Sequence, residues 1–429
     1  MNKQLSYIIL FIFIISEFPA SAQKDLTLSL ALEKALQNNY GIILSTADTE
    51  IAAINNSWGT AGRIPTVGFD ASSSNSYDLL DNTASNRLSL ALGMDWILFD
   101  GFRVDITKDK LEDLETLSGG RLAVVVENTI EDVILYYQNV LLQQERLKVL
   151  EKVMTLSEDR YNYEMKRYEL GGSVTYNVLQ AKTLYLSDKA SFMNQEVVVR
   201  NAIRNLNFVL GEDPVVSWKF TEPFDPAAEE YVLSDLLAKM LSNNQTLQNQ
   251  YVNLMLQQKE VAIQKSDYYP TVRLGAGIEN SYSRMQQDGG DPTTTSGLSP
   301  YGNLSLSFDI YDAGNRASDI QIARINEEMA QVEIEQMEHS LTNLLLNVYD
   351  YYTVRIALLE VAVESLEAAE LNLQIADEKF KTGAINSFNY RDIQLIYLNA
   401  ALGRLQAVYN LIDSKTVLTR LTGGFISDE

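Results

Sequence analysis

The chain has no cysteine and one histidine, His339, in 429 residues. Without cysteine there is no disulfide framework, no thiolate metal site, no cysteine nucleophile and no lipid on an N-terminal cysteine. One histidine cannot build a multi-histidine zinc or di-iron centre, and a Ser/His/Asp arrangement would have to run through His339. Basic residues are also few, 34 against 57 acidic, for a formal charge of -23 that repels phosphate backbones and argues against nucleic acid as a partner. No stretch is continuously apolar for the roughly eighteen residues a spanning helix needs, so a mature protein that crosses a membrane does so with strands. What is present, 46% hydrophobic and 21% charged residues, is globular composition. By length alone the chain would hold two or three domains.

The first residues give an address. Lys3 precedes an apolar run at 5–15, and a polar stretch then closes with Ala20, Ser21 and Ala22 before Gln23. This is the order of a secretory signal peptide over residues 1–22. The apolar run is too short to anchor a helix across a bilayer.

The chain is written twice. Leu28, Ser29, Leu32, Lys34, Leu36, Asn38, Asn39 and Pro65 recur 205 residues later as Leu233, Ser234, Leu237, Lys239, Leu241, Asn243, Asn244 and Pro270. Phe99-Asp100, Tyr168, Gly171 and Asn177 recur at a spacing of 212 as Tyr311-Asp312, Phe380, Gly383 and Asn389. The seven extra residues fall in the turn-rich segment 286–292. The expected organisation is a first repeat over 23–213, an extended Pro-bearing linker over 214–230, a second repeat over 231–424 and a tail at 425–429.

Each copy opens with a helix (about 27–60 and 232–265) ended by Pro65 or Pro270. A hairpin follows. Leu88, Leu90, Leu92, Met94, Trp96 and Leu98 alternate with Ser89, Ala91, Gly93 and Asp95. Leu304, Leu306, Phe308 and Ile310 alternate with Asn303, Ser305, Ser307 and Asp309. Period two gives one apolar face and one small, polar face. A soluble sandwich produces a similar alternation. Here the segments are about the ten residues that cross a bilayer when tilted, and the polar face carries small side chains that suit a wet lumen. Trp96, Phe99, Tyr301 and Tyr311 suit an aromatic girdle. Four strands cannot close, so a membrane-spanning chain must pool its strands with other chains.

After the hairpins each copy runs without proline from about 103 or 316 to 170 or 382, a helix on the order of 100 Å. Gly119-Gly120 predicts a bulge or kink in the first copy. Leu359, Ala362, Leu366, Ala369, Leu373, Ala376 and Phe380 keep a three-four beat, and Ser157 and Glu164 break the matching first-copy stripe. Leu395, Leu398, Leu402, Leu405, Tyr409 and Ile412 repeat the beat on the return helix. The pattern predicts coiled-coil hairpins turning at Gly171-Gly172 and Gly383.

With the duplication, Trp96-Ile97-Leu98-Phe99-Asp100-Gly101 and its weaker copy Phe308-Asp309-Ile310-Tyr311-Asp312, and the turns Tyr168-Glu169-Leu170-Gly171 and Phe380-Lys381-Thr382-Gly383, the chain resembles the TolC family of outer-membrane efflux proteins. The resemblance covers nearly all of the mature length. It implies a mainly α fold with transmembrane β: duplicated long coiled-coil helical hairpins plus four barrel strands per chain, closing as a twelve-stranded trimeric barrel. It implies a homotrimer in the outer membrane of a Gram-negative bacterium, among its lipids, with a long periplasmic extension. It further implies a passive exit duct that docks with a periplasmic adaptor protein and an inner-membrane pump or secretion ATPase.

The family narrows its periplasmic mouth with aspartate rings beyond the second turn. The matching positions here are Asn389 and Asp392, with Asn177 and Gln180 in the first copy. Asp392 keeps one acidic ring, and the arginine of some members is Ile385. Partner docking is expected at Tyr168, Gly171, Gly172, Phe380 and Gly383. The lumen is expected to be lined by Ser89, Gly93, Asp95, Asn303, Ser305, Ser307 and Asp309.

A rival reading, a secreted periplasmic coiled-coil adaptor or scaffold without a barrel, would wash off membranes with salt or urea. An enzyme is the weakest reading: no catalytic constellation, metal site or cofactor site presents itself, and His339, between Glu338 and Ser340, is assigned no chemistry.

Overall fold

The computed structural model describes residues 24–226 and 228–425. The expected signal peptide, residues 1–22, lies outside them, as does the tail after 425. In chain order the elements are β1 (Lys24–Leu26), α1 (Leu28–Asn38), α2 (Tyr40–Asn55), α3 (Trp58–Ala61), β2 (Thr66–Asp78), β3 (Thr83–Phe99), α4 (Arg103–Glu169) and α5 (Thr175–Val209). They continue with β4 (Trp218–Phe220), α6 (Leu233–Asn243), α7 (Gln245–Ser266), β5 (Thr271–Gln287), β6 (Thr293–Ser307), α8 (Asn315–Lys381) and α9 (Ser387–Leu421). The duplication is visible in the lengths: α4 and α8 have 67 residues each, α5 and α9 have 35 each.

The residues form two compact units. The first holds the chain up to Asn39, Ile130–Ala228 and Thr353–Asp413; the second holds Tyr40–Thr129, Glu229–Tyr352 and the chain from Ser414. The first unit is a helical core. Tyr137, Val140, Leu206, Leu210, Trp218 and Val408 bury together, and a second cluster joins Val153, Leu373, Ala376, Phe380, Tyr390 and Tyr397. The second unit contains the four-stranded sheet and buries Met240, Leu247, Leu345 and Tyr352. Among the described residues no helix is long and apolar enough to cross a membrane.

Three expectations needed correction. The opening helix of each copy is broken at the Asn-Asn pair, because the second asparagine has backbone partners that a continuing helix would deny it. Asn39 Nδ2 donates to the Val209 carbonyl (2.8 Å). Asn244 caps α7 through Leu247 N (3.1 Å) and donates to the Leu421 carbonyl (3.1 Å). Gly119-Gly120 does not interrupt α4, which is continuous. A Cβ on Gly120 would overlap the Asn249 amide, so this glycine makes room for α7.

The extended segment expected as a linker contains a short strand. β4 pairs in parallel with β1. Trp218 is buried, and its indole N–H donates to Asn207 Oδ1 (2.6 Å). Three residues of strand carry too little periodicity to be read from sequence. Finally, the return-helix seam is met only in part: Leu405 and Ile412 are buried and Leu398 and Tyr409 pack on the clusters as expected, but Leu395 is 37% exposed, and Tyr390, Gln394, Tyr397, Ala401 and Val408 are buried as well. α9 has apolar residues on two faces, and periodicity alone does not say which face packs within the chain.

Candidate functional site: a polar-faced sheet and two helical turns

In the second unit the strand order is β2-β3-β5-β6, antiparallel throughout. Register puts Gly68, Gly93, Gly277 and Tyr301 in one row, and Asp95, Gly275 and Asn303 in the next. Ser89, Gly93, Asp95, Asn303, Ser305 and Ser307 therefore share one face. Leu90, Leu92, Met94 and Trp96, with Val67, Phe69, Val272, Leu274, Ile278, Leu304 and Leu306, share the other, because side chains alternate along each strand.

The polar face is cross-linked within the sheet. Ser89 Oγ donates to Glu279 (2.6 Å), and Asp95 lies 3.9 Å from Arg273. The strands have 13 to 17 residues, longer than the ten expected. Two expected positions move. Asp309 lies beyond the end of β6, where its carbonyl accepts from Arg316. Tyr301 belongs to the polar face and not to a girdle: a Cβ on Gly277 would sit 2.6 Å from its hydroxyl and one on Gly93 3.1 Å from it, so the phenol lies across two glycines. Trp96 does stand on the apolar face, donating its indole N–H to the Arg63 carbonyl (2.9 Å).

The Phe-Asp-Gly motif makes the strand-to-helix corner. Gly101 and Phe102 both have positive φ (72° and 68°), and Asp100 Oδ1 accepts from Val104 N (3.3 Å) at the start of α4. A Cβ on Gly101 would meet the Ser266 carbonyl at 2.5 Å, so this position needs glycine for space as well as for φ. Ala313 and Gly314 repeat the corner, with Asp312 accepting from Arg316 N (2.8 Å).

In the first unit both long helices end in the same paired hydrogen bonds. Gly172 N donates to Arg167 O (2.7 Å) and Gly171 N to Tyr168 O (3.0 Å); Ala384 N donates to Lys379 O (2.8 Å) and Gly383 N to Phe380 O (3.0 Å). This is the Schellman closure, and it needs the positive φ of Gly171 (78°) and Gly383 (77°). Tyr168 is half exposed and Leu170 fully so, but Phe380 is buried and stacks on Tyr390 at 4.7 Å. Phe380 thus braces the turn from inside and presents no ring to a partner. Of the expected mouth residues, Asn389 and Asp392 are exposed, while Asn177 and Gln180 are half-buried. Asn177 Nδ2 donates to Ser173 Oγ (3.3 Å), and Ile385 packs on the apolar cluster.

Sequence reasoning missed a buried polar network behind these turns. Arg391 holds Asp188 with two bonds (2.6 and 2.8 Å), and Ser157 donates to the same carboxylate. Arg160 Nε donates to Ser387 Oγ (2.6 Å). Burial, and then the neighbouring Arg391 charge, hold the Arg160 guanidinium below its ordinary value. Glu164 accepts from Ser173 (2.7 Å). The available signal was the two breaks in the stripe, Ser157 and Glu164: both are buried where a coiled coil wants apolar side chains.

The protein-family description "Outer membrane efflux protein" matches residues 31–212 and 236–424. The chain belongs to the outer membrane efflux protein family. This outer membrane efflux protein is 25% identical to Protein CyaE of Bordetella pertussis over 195 residues, 45% of this chain and 40% of CyaE, so that alignment spans less than half of the relative. It is 20% identical over 378 residues to the cation efflux system protein CusC of Escherichia coli (strain K12), covering 85% of this chain and 79% of CusC. The crystal structure of the Campylobacter jejuni CmeC outer membrane channel shares its fold, with a TM-score of 0.76 at 16% identity over 92% of this chain and 85% of CmeC. The chain is thus an outer membrane efflux protein with the fold of that channel, and the adaptor reading falls away. The family is one of channels, not of enzymes.

Proposed function

We propose that three copies of this chain close a twelve-stranded barrel in the outer membrane, and that their helical hairpins form the periplasmic part of a passive exit duct. The observation that carries this is the sheet: one polar face, one apolar face, and two unpaired edges at β2 and β6. Unpaired backbone groups are intolerable in hydrocarbon, so β2 of one copy pairs with β6 of the next. The chain folds as two repeats, 23–213 and 231–424, joined through 214–230. Cargo passes unaltered. Ser89, Gly93, Asp95, Asn303, Ser305 and Ser307 line the lumen. The exposed Tyr168 and Leu170, set by the Gly171-Gly172 and Gly383 turns, meet a periplasmic adaptor, which joins the duct to an inner-membrane pump or secretion ATPase.

The absence of native cysteine makes the edge pairing directly testable. With Ser72→Cys in β2, a cysteine scan over 297–303 of β6 yields covalent trimers on oxidation at some position. A scan that gives only monomers refutes the barrel.

At the periplasmic mouth Asp392 supplies one acidic ring, while Asn177, Gln180 and Asn389 are neutral. Asp392→Asn lowers cation preference in single-channel recordings; an unchanged preference removes Asp392 from the gate.

A further inference from the structure

Register fixes where the sheet carries its charge. The charged side chains on the polar face are Asp70 and Asp78 of β2, Arg87 and Asp95 of β3, and Arg273 and Glu279 of β5. Asp95 lies 3.9 Å from Arg273, so those two offset one another. Asp78 is occupied at the β2–β3 turn, where it accepts from Leu80 N (2.8 Å). Asp70 and Glu279 remain, and both stand in the row Asp70-Ala91-Glu279-Ser299, with one small residue between them.

Asp70 is exposed, and neither carboxylate has an ion pair among the described residues. The Ser89 hydroxyl donates to Glu279 (2.6 Å) and holds that carboxylate on the polar face. Arg87, the remaining cation of this face, is four residues along β3 from Ala91, about 13 Å at the rise of a strand. The row also has a defined depth. Leu90 and Leu92 flank Ala91 and belong to the apolar face, with Phe69 opposite Leu92. In the barrel proposed above the row therefore lies inside the membrane-spanning band, where a low-dielectric wall focuses the field into the water-filled bore.

We propose that Asp70 and Glu279 form an acidic ring within the barrel that favours cationic over anionic cargo, an inference that rests on the trimeric barrel reading. Rings of Asp and Glu set cation preference in channels generally. Twelve strands about 4.8 Å apart and tilted by about 45° make a wall about 13 Å in radius. Side chains pointing inward from that wall bring the carboxylates to within about one Debye length of the axis at 0.1 M salt, about 10 Å. At 1 M the Debye length is about 3 Å, and the ring acts only at the wall.

The chain has no native cysteine, so a single introduced thiol reports the local potential, whatever the mouth at Asp392 contributes. Ser299→Cys places that thiol in the same row of the full chain, assembled in lipid vesicles. Its modification rates by a cationic trimethylammonium and an anionic sulfonate methanethiosulfonate are compared. At about 0.05 M salt, adding Asp70→Asn and Glu279→Gln lowers the cation-to-anion rate ratio by about tenfold, and Asp70→Asn alone by about threefold. At 1 M salt the difference falls to within about twofold. Asp70→Asn, on an exposed side chain, decides the matter if the combined variant does not assemble. A ratio unchanged by neutralisation at low salt, or a difference that persists at 1 M, overturns the ring and leaves the barrel standing. Leu298→Cys, one residue along on the apolar face, reacts slowly with both reagents; equal rates at 298 and 299 refute the barrel reading and the ring with it.

Discussion

Asp188→Asn removes the charge that Arg391 was folded around, and the structure sets the size of the effect. The pair is bidentate, at 2.6 and 2.8 Å, and the side chains are 14% and 9% exposed for Arg391 and Asp188. A surface pair of this geometry would contribute about 0–1 kcal/mol. Here water is excluded, so deleting one partner strands the other charge in the core, at a cost of about 3–5 kcal/mol. At about 1.4 kcal/mol per decade, local opening of α5 and α9 becomes roughly a hundredfold to a few thousandfold more frequent. Hydrogen exchange of peptides around Asp188 and Arg391 reads this directly. Arg391→Met has a similar effect. The double variant Asp188→Leu with Arg391→Met recovers most of the protection, because an apolar pair of similar volume carries no desolvation penalty. Protection within about threefold of wild type in the single variants, or strict additivity in the double, refutes the assignment of a buried, coupled pair.

Glu127 is buried, and desolvation, opposed by Arg420, pushes its carboxyl up to about 7. The folded state therefore binds this proton more tightly than the unfolded chain does. The associated stability is full below the unfolded value near 4.5 and is lost as pH rises through about 7. Glu127→Gln should raise stability at pH 8 by up to about 3 kcal/mol and have little effect at pH 4, measured as denaturant midpoints. A variant without this pH dependence would remove the buried titration. On the sheet, Gly277→Val drives a side chain into the Leu92 carbonyl and the Tyr301 hydroxyl, where a Cβ would already sit at 2.5 and 2.6 Å. Gly275→Ala meets only the Asn303 carbonyl at 4.0 Å. The first should abolish heat-stable oligomers in the outer-membrane fraction and the second should not; equal yields would contradict the packing of Tyr301 across the glycines.

The sequence by itself determined the duplication, the long helices, the turns at Gly171 and Gly383, and the two-faced strands. These are local or periodic signals. A period of two or of three and four residues survives without knowledge of what packs where, and a glycine at positive φ is needed wherever a helix closes in this way. The family resemblance rested on the order and spacing of such signals, twice in one chain. What the tertiary structure alone decided depends on pairs of residues distant in sequence. Tyr301 has the composition of a girdle residue, but register places it opposite Gly277, on the polar face. Gly119-Gly120 has the composition of a kink, but Asn249 occupies the space that Gly120 leaves.

The seam of α9 could not be chosen until α4 and α8 supplied the opposing face. The Arg160, Asp188 and Arg391 network was legible only as two unexplained polar breaks in an apolar stripe. Burial reverses the meaning of a charged side chain. Arginine on a solvated helix face is ordinary, whereas Arg160 is 3% exposed and donates to Ser387, and only the packing of the helices tells these two cases apart.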